Sequence, residues 1–174
     1  MNKHFLAKIQ KVYEREIQLG LYKNPTRKSS LLMAKSMVPW LPDGTEHGDY
    51  LSIDLGSTNF RVMLSHFASG EEPRCRVQHY KVPDSVRKGH SDGIFNFMAE
   101  SIGDFVSHYP DIQNEELPLG FTFSFPMNQH TLNSATLLNW TINFDCPDAI
   151  GKDAVQLLQS AINRIPVNKK RIFF

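Results

Sequence analysis

Residues 54–61 constrain the fold of this chain more than any other stretch. They read Asp-Leu-Gly-Ser-Thr-Asn-Phe-Arg and lie between two segments, 51–55 and 60–64, in which apolar residues recur at every second position. Alternation with this period is typical of β-strands, and a cluster of Gly, Ser and Asn between two such strands is typical of a tight turn. The sequence therefore predicts an antiparallel β-hairpin here, which the rest of the fold has to accommodate.

The turn of this hairpin carries groups that suit a bound phosphate. Gly56 permits backbone angles closed to other residues, so the N–H groups of residues 56–59 can point into one concavity. Thr58 adds a hydroxyl donor and Arg61 a positive charge. Asp54 is placed to hold Mg²⁺ through water, because Mg²⁺ prefers oxygen ligands and keeps part of its hydration shell. An ordinary turn with a solvated Asp and Arg explains this stretch, taken alone, about as well.

Composition excludes several classes of protein. The chain has 174 residues, 41% apolar and 21% charged, as expected for a globular protein with one main domain. The net charge of +1 and the lack of a long basic run argue against a nucleic-acid partner. Two cysteines without framework or metal-ligand spacing favour a reducing compartment, and no apolar run is long enough for a membrane span. We therefore expect a cytoplasmic protein.

The remaining pattern predicts alternating helices and strands. Apolar residues at helical spacing predict helices over 5–17, 94–106 and 154–162, with a shorter helix over 31–37. Gly20 is expected to end the first helix in a left-handed conformation. A third strand is predicted over 75–80 and a buried strand over 117–126, with polar loops over 83–93 and 127–133. This order predicts an α/β fold in which helices cover a mixed sheet.

Four collinear segments resemble the eukaryotic hexokinase family. Residues 42–48 and 54–61 are similar to the family's phosphate motif, which reads Asp-Leu-Gly-Gly-Thr-Asn-Phe-Arg. Residues 119–126 are similar to its sugar-site strand. Residues 139–141 match the point where the family continues Trp-Thr-Lys-Gly-Phe, and residues 151–153 with the next helix resemble the segment after that. Four ordered matches are far more specific than any one motif.

The resemblance implies an actin-like ATPase fold of the ribonuclease H-like type, of which this chain covers the N-terminal lobe only. It implies transfer of the γ-phosphoryl group of ATP, with Mg²⁺, to the 6-hydroxyl of a hexose such as glucose, the entry step of glycolysis. The matching phosphate and ATP positions are Asp54, Gly56, Ser57, Thr58, Asn59 and Arg61, with Asp54 also the metal position. The matching sugar positions are Ser124, Phe125 and Thr141, whose hydroxyls and ring suit sugar contacts.

Three residues depart from the family pattern at these motifs. Ser57 replaces the second Gly of the phosphate motif, which matters if that position needs a positive φ. Ile142 replaces a Lys that contacts sugar and phosphate, and Asn143 replaces the following Gly. An isoleucine neither donates a hydrogen bond nor neutralises charge. Its presence is expected to weaken catalysis by ~3 kcal/mol, the typical worth of a donor aimed at developing charge.

The family's general base is also unmatched. That base is an Asp in an Asn-Asp-Thr motif after the helix matched by residues 155–162, whereas this sequence has no acidic residue after Asp153. No catalytic residue is therefore assigned. We expect residues 1–164 to form an incomplete small domain and residues 165–174 a divergent basic and apolar tail, with the large lobe missing. A chain without that base is expected to be catalytically incomplete.

Two other functions remain open from the sequence. The first is a non-catalytic hexokinase-like module that binds sugar or another partner, which Ile142 and the unmatched base favour. The second is an actin-like or chaperone-like nucleotide binder, which shares the phosphate hairpin but does not account for the sugar-site residues 124–126.

Overall fold

The structure of the chain is a computed structural model that describes residues 2–22, 27–31, 33, 36–112, 116–165 and 172–174. It divides into two compact units, residues 1–36 and residues 37–174. None of the helices within the described ranges is long and apolar enough to cross a membrane.

The first unit contains the predicted N-terminal helix, α1, which spans Lys3–Leu21. The side chain of Asn2 caps its first turn by accepting a hydrogen bond from the N–H of His4 at 3.0 Å. The expected role of Gly20 was wrong, because this residue lies inside the helix and has no positive φ. Gly20 is instead needed for space, since an added Cβ would lie 2.4 Å from the carbonyl oxygen of Leu31.

A single carboxylate ties the segment 27–31 to α1. Glu16 accepts hydrogen bonds from the guanidinium of Arg27 and, at 3.0 Å, from the N–H of Ser30. These bonds lower the pKa of Glu16 to about 2. The predicted helix over 31–37 lies partly outside the described residues, and residues 31, 33, 36 and 37 are not helical. The apolar stripe of α1 is not buried in the described structure.

The second unit is built on a sheet of five strands, which are β1 (Gly48–Leu55), β2 (Asn59–Phe67), β3 (Arg74–Lys81), β4 (Leu117–Phe123) and β7 (Ile172–Phe173). They lie side by side in the order β3-β2-β1-β4-β7. Strands β1, β2 and β3 pair antiparallel, whereas β4 is parallel to both β1 and β7. The predicted mixed sheet is therefore confirmed.

Helices bury one face of this sheet. The helices of the unit are α2 (Asp84–Arg87), α3 (Ser91–Ser107), a 3₁₀-helix (Pro147–Ala149) and α4 (Ala154–Arg164). The alternating residues Leu51, Ile53, Leu55, Phe60, Val62 and Leu64 are each at most 3% exposed. They form one core with the apolar faces of α3 and α4, which pack against each other. Period-two alternation in the hairpin thus separates a core face from an open face.

Asp148 of the 3₁₀-helix fixes the start of α3. Its carboxylate accepts hydrogen bonds from the N–H and the hydroxyl of Ser91, at 2.8 and 2.6 Å. Burial opposes ionisation of Asp148, but the bonds from Ser91 prevail and hold its pKa below the usual value. The bonds join two segments far apart in sequence.

Two predicted loops contain regular structure. Residues 127–133, expected to be loop, contribute to a hairpin formed by β5 (Met127–Thr131) and β6 (Ser134–Leu137), and α2 lies within the expected loop 83–93. In the predicted tail, Ile172 pairs with Leu117 and is 4% exposed. The proposed domain limit at residue 164 stays a prediction.

Candidate functional site

The phosphate-motif hairpin forms as the sequence predicts. Asp54 lies opposite Arg61, and Leu55 opposite Phe60, so the turn between the strands consists of residues 56–58. The N–H of Gly56 donates to the carbonyl of Asn59 at 3.0 Å. Of the four amides expected to face a phosphate, that of Gly56 is therefore already engaged within the turn.

The tip of the turn presents exposed backbone donors. Ser57 and Thr58 are exposed, and within the described part of the chain their N–H groups have no hydrogen-bond partner. Ser57 has no positive φ, so serine is accepted here without strain in place of the family's glycine. The N–H of Val82 donates to the carbonyl of Thr58 at 3.0 Å, which fixes the turn against the end of β3. Two amides remain available to an anion.

Asp54 and Arg61 lie on the open face of the sheet. The Arg61 Nη1 is 3.4 Å from the Asp54 Oδ2, and the side chains are 55% and 33% exposed. They line a groove of about 350 Å³ that also includes His79 and Thr122. No three His, Cys, Asp or Glu side chains gather into a metal site among the residues that the structure describes. The partly exposed carboxylate of Asp54 is a group that fits Mg²⁺, which is often held by one or two carboxylates plus phosphate oxygens.

Parallel pairing brings the sugar-motif residues to the same edge of the sheet as the hairpin turn. Leu55 pairs with Phe123, the last residue of β4, so Gly56 and Ser124 both follow the carboxyl ends of adjacent strands. Ser124 is exposed, whereas Phe125 is 8% exposed. The predicted phosphate and sugar residues are therefore neighbours in space although the sequence separates them widely.

An aromatic cluster positions Thr141 in this region. The ring of Trp140 lies 4.7 Å from that of Phe125 and 5.9 Å from that of Phe144, measured between centroids. Its indole Nε1 donates to the carbonyl of Cys146 at 2.7 Å. Because Trp140 is 6% exposed and held on several sides, the next residue, Thr141, follows a fixed anchor and is itself partly exposed.

The turn after Thr141 is strained. Ile142 and Asn143 have φ angles of 55° and 66°, and the N–H of Phe144 donates to the carbonyl of Thr141 at 3.2 Å. Consecutive positive φ angles in a closed turn correspond to type I′, which Gly and Asn favour. A β-branched isoleucine is a genuine outlier there. Ile142 is also 50% exposed, so little burial offsets this strain.

Sequence reasoning did not find Arg87, which contacts Val82, the residue bonded to Thr58, and Phe144, the last residue of the turn after Thr141. Its Nη2 donates to the carbonyl of Val82 at 3.0 Å, and its Cζ lies 5.7 Å from the centroid of the Phe144 ring. The side chain is only 11% exposed. No sequence signal marked this residue, because it belongs to a segment interpreted as a polar loop and its contacts arise only when that segment folds over the sheet.

Comparison with known proteins identifies the family. The sequence model of the hexokinase family matches residues 1–173. The chain belongs to the hexokinase family. Human hexokinase-1 is 38% identical over 166 residues, which are 94% of this chain and 18% of the human protein. The hexokinase of Brugia malayi is 39% identical over 150 residues, which are 86% of this chain and 26% of that protein.

Solved hexokinase structures share the fold. A hexokinase from Schistosoma mansoni in complex with glucose superposes with a TM-score of 0.80 and 34% identity, covering 96% of this chain and 38% of that one. A second hexokinase gives a TM-score of 0.81 at 26% identity and covers 99% of this chain and 41% of that one. The predicted actin-like N-terminal lobe is thereby confirmed. The chain spans a fifth to a quarter of the curated relatives named above, and about two fifths of the solved chains.

Proposed function

We propose that this chain contributes the phosphate turn and one wall of the sugar site to an enzyme that phosphorylates a hexose, such as glucose, at its 6-hydroxyl with ATP. The observation that carries the proposal is that the 56–58 turn and Ser124 follow the paired ends of two adjacent strands, at one edge of the sheet. Phosphoryl transfer depends chiefly on positioning and on charge neutralisation, and two adjacent sites for donor and acceptor supply positioning.

The hairpin is proposed to hold the phosphates. The free N–H groups of Ser57 and Thr58 donate to phosphate oxygens, and Asn59 and Arg61 lie beside them on the same hairpin. Asp54 is the carboxylate that would hold Mg²⁺, which neutralises phosphate charge when bound. Asp54 lies on the open face, where water has access to complete the coordination shell of the metal.

The sugar wall is proposed to consist of Ser124, Phe125 and Thr141. The two hydroxyls bind sugar hydroxyls as both donors and acceptors, while the largely buried Phe125 shapes the wall beside them. Glucose is proposed as ligand because the structurally similar Schistosoma mansoni hexokinase was solved with it. None of these residues is assigned as general base, so the role proposed for this chain is orientation of donor and acceptor.

Glucose binding is testable by tryptophan fluorescence. Trp140 packs against Phe125, whereas Trp40 is 78% exposed, so a Trp40→Phe background isolates the relevant signal. Addition of glucose is expected to shift or quench the Trp140 emission. Ser124→Ala should weaken binding roughly fivefold through loss of one hydrogen bond. Ser69→Ala, an exposed serine in the β2–β3 turn at the other end of the sheet, is the matched control and should leave affinity unchanged.

Phosphoryl transfer requires a separate experiment. Residues 1–164 would replace the matched segment of the Brugia malayi hexokinase, and formation of hexose 6-phosphate would be followed in a coupled assay. Product from this chimera supports the kinase proposal, and its loss on Asp54→Asn supports the metal position. A folded chimera that binds glucose without forming product would instead favour the sugar-binding module, the alternative to which Ile142 points. Failure to bind glucose would remove both proposals.

A further inference from the structure

Arg87 is a largely buried cation whose hydrogen-bonding capacity is only partly used. An arginine has five N–H donors, of which one, on Nη2, reaches the Val82 carbonyl at 3.0 Å. The buried Nε has no hydrogen-bond partner among the described residues, and the nearest carboxylate, that of Asp84, is 3.5 Å away with 98% of its side chain exposed. Burying a charge that is poorly paired is costly, so a cation in this state is suited to an additional anion.

Two short chains of contacts link this guanidinium to two turns: the phosphate turn, residues 56–58, and the turn after Thr141, residues 141–144, which we call the sugar turn. Towards the hairpin, Arg87 binds the carbonyl of Val82, and the N–H of Val82 binds the carbonyl of Thr58. Towards the sugar turn, its Cζ lies 5.7 Å from the ring centroid of Phe144, which closes the turn that begins at Thr141. The backbone of Arg87 also accepts from the N–H of Asp145 at 2.7 Å.

Residues 141–144, the sugar turn, carry no positive charge of their own. Ile142, two residues before Phe144, carries no charge and no donor, so this turn cannot itself neutralise a phosphoryl group. Arg61, the cation of the hairpin, is 3.4 Å from the carboxylate of Asp54 and lies on the open face of the sheet. Arg87 approaches the same turns beside Val82, which is 1% exposed and belongs to the core.

We propose that Arg87 supplies positive charge to a phosphoryl group bound at the amides of residues 57 and 58, in the role that Ile142 cannot fill. The inference rests on the proposed function of the hairpin. Arg87 acts through its charge, from the side of the turn that faces the core, and its contacts with Val82 and Phe144 hold the guanidinium plane in place. The competing explanation is structural: Arg87 only attaches the loop after β3 to the turn, in which case its charge has no effect on anion binding.

The test is an NMR titration of the ¹⁵N-labelled chain with inorganic pyrophosphate, following the amides of Ser57 and Thr58. Arg87→Met, which keeps the length but removes the charge, is expected to raise the dissociation constant roughly tenfold, the effect of one unit charge on another about 12 Å away at an effective dielectric of about 20. Arg87→Lys, which keeps the charge, should remain close to the parent. Arg74→Met is the control, because Arg74 begins β3 at the opposite end of the sheet.

Each outcome bears directly on the proposal. Equal affinity of the parent and Arg87→Met overturns it while leaving the phosphate site intact. Equal weakening by Arg87→Met and Arg87→Lys also overturns it, because the role is then structural. If the amides of the parent do not respond, the phosphate site itself is refuted together with this inference. Should Arg87→Met lose its dispersed amide spectrum, Arg87→Gln takes its place, since Gln is neutral and keeps a donor for Val82.

Discussion

Replacement of Ile142 by Gly is expected to cost far less stability than the same replacement at an ordinary exposed isoleucine. Ile142 has φ 55°, and its side chain is 50% exposed. A left-handed conformation costs an L-residue other than glycine about 1–2 kcal/mol, and β-branching makes it worse. Glycine removes this cost, because it adopts positive φ without a steric penalty.

The magnitude follows from three opposing contributions. Relief of strain favours the variant by ~1–2 kcal/mol. Loss of a half-exposed isoleucine side chain costs ~1 kcal/mol, and the greater freedom of glycine in the unfolded chain costs roughly 0.5–1 kcal/mol. These contributions nearly cancel, so Ile142→Gly is expected to change the free energy of unfolding by about 1 kcal/mol or less.

Ile150 provides a matched control. It is 43% exposed, with φ −62° and ψ 132°, an extended conformation that any residue adopts. Ile150→Gly therefore loses the same kind of apolar contact and gains the same unfolded-state entropy, without relief of strain. It is expected to destabilise by ~1.5–2 kcal/mol. The two variants should thus differ by ~1–2 kcal/mol, which is the strain itself.

Urea unfolding followed by Trp140 fluorescence, in the Trp40→Phe background, measures both variants on the unit that contains the turn. Comparison of the midpoints at equal slope gives the two free-energy changes. Equal destabilisation by both replacements would show that Ile142 stores no strain in the folded protein.

Three further results are expected. Asp148→Ala should destabilise the protein by ~1–2 kcal/mol in urea, because it removes two hydrogen bonds to Ser91. The pKa of Asp148 is lower in the folded protein than its ordinary value of 3.8, so its carboxylate contributes stability above that value and loses it as pH falls further. The difference in stability between the variant and the parent should therefore shrink as pH falls below 3.8. In the folded protein a thiol reagent should label the exposed Cys75 but not Cys146, because burial raises the pKa of the Cys146 thiol to about 11. Unfolding should make both cysteines reactive. Gly20→Ala should not slow hydrogen exchange in α1, although alanine favours a helix by ~1 kcal/mol over glycine. The added Cβ would lie 2.4 Å from the carbonyl oxygen of Leu31 and collide with it. Uniformly slower exchange along α1 would contradict this close approach of Leu31 to Gly20.

Local pattern sufficed for the main elements of the fold. Period-two alternation predicted the hairpin of β1 and β2, and helical spacing predicted α1, α3 and α4. The predictions of β1, β2, α3 and α4 succeed because each of these elements has one apolar face that the core covers, and the covered residues repeat with the period of the element. The strand within residues 127–133 was missed, because β5 has no buried residue to mark it.

The sequence by itself determined the hairpin, the helices of the core and, by resemblance, the residues worth testing as a phosphate and sugar site. Only the tertiary structure decided that the N–H of Gly56 is engaged within the turn, that Ser57 needs no positive φ, and that Ile142 has one. It alone brought Arg87 between the two turns. The physical reason is that periodicity is a local property of the chain, whereas backbone strain and buried charge depend on which distant segments meet when the chain folds.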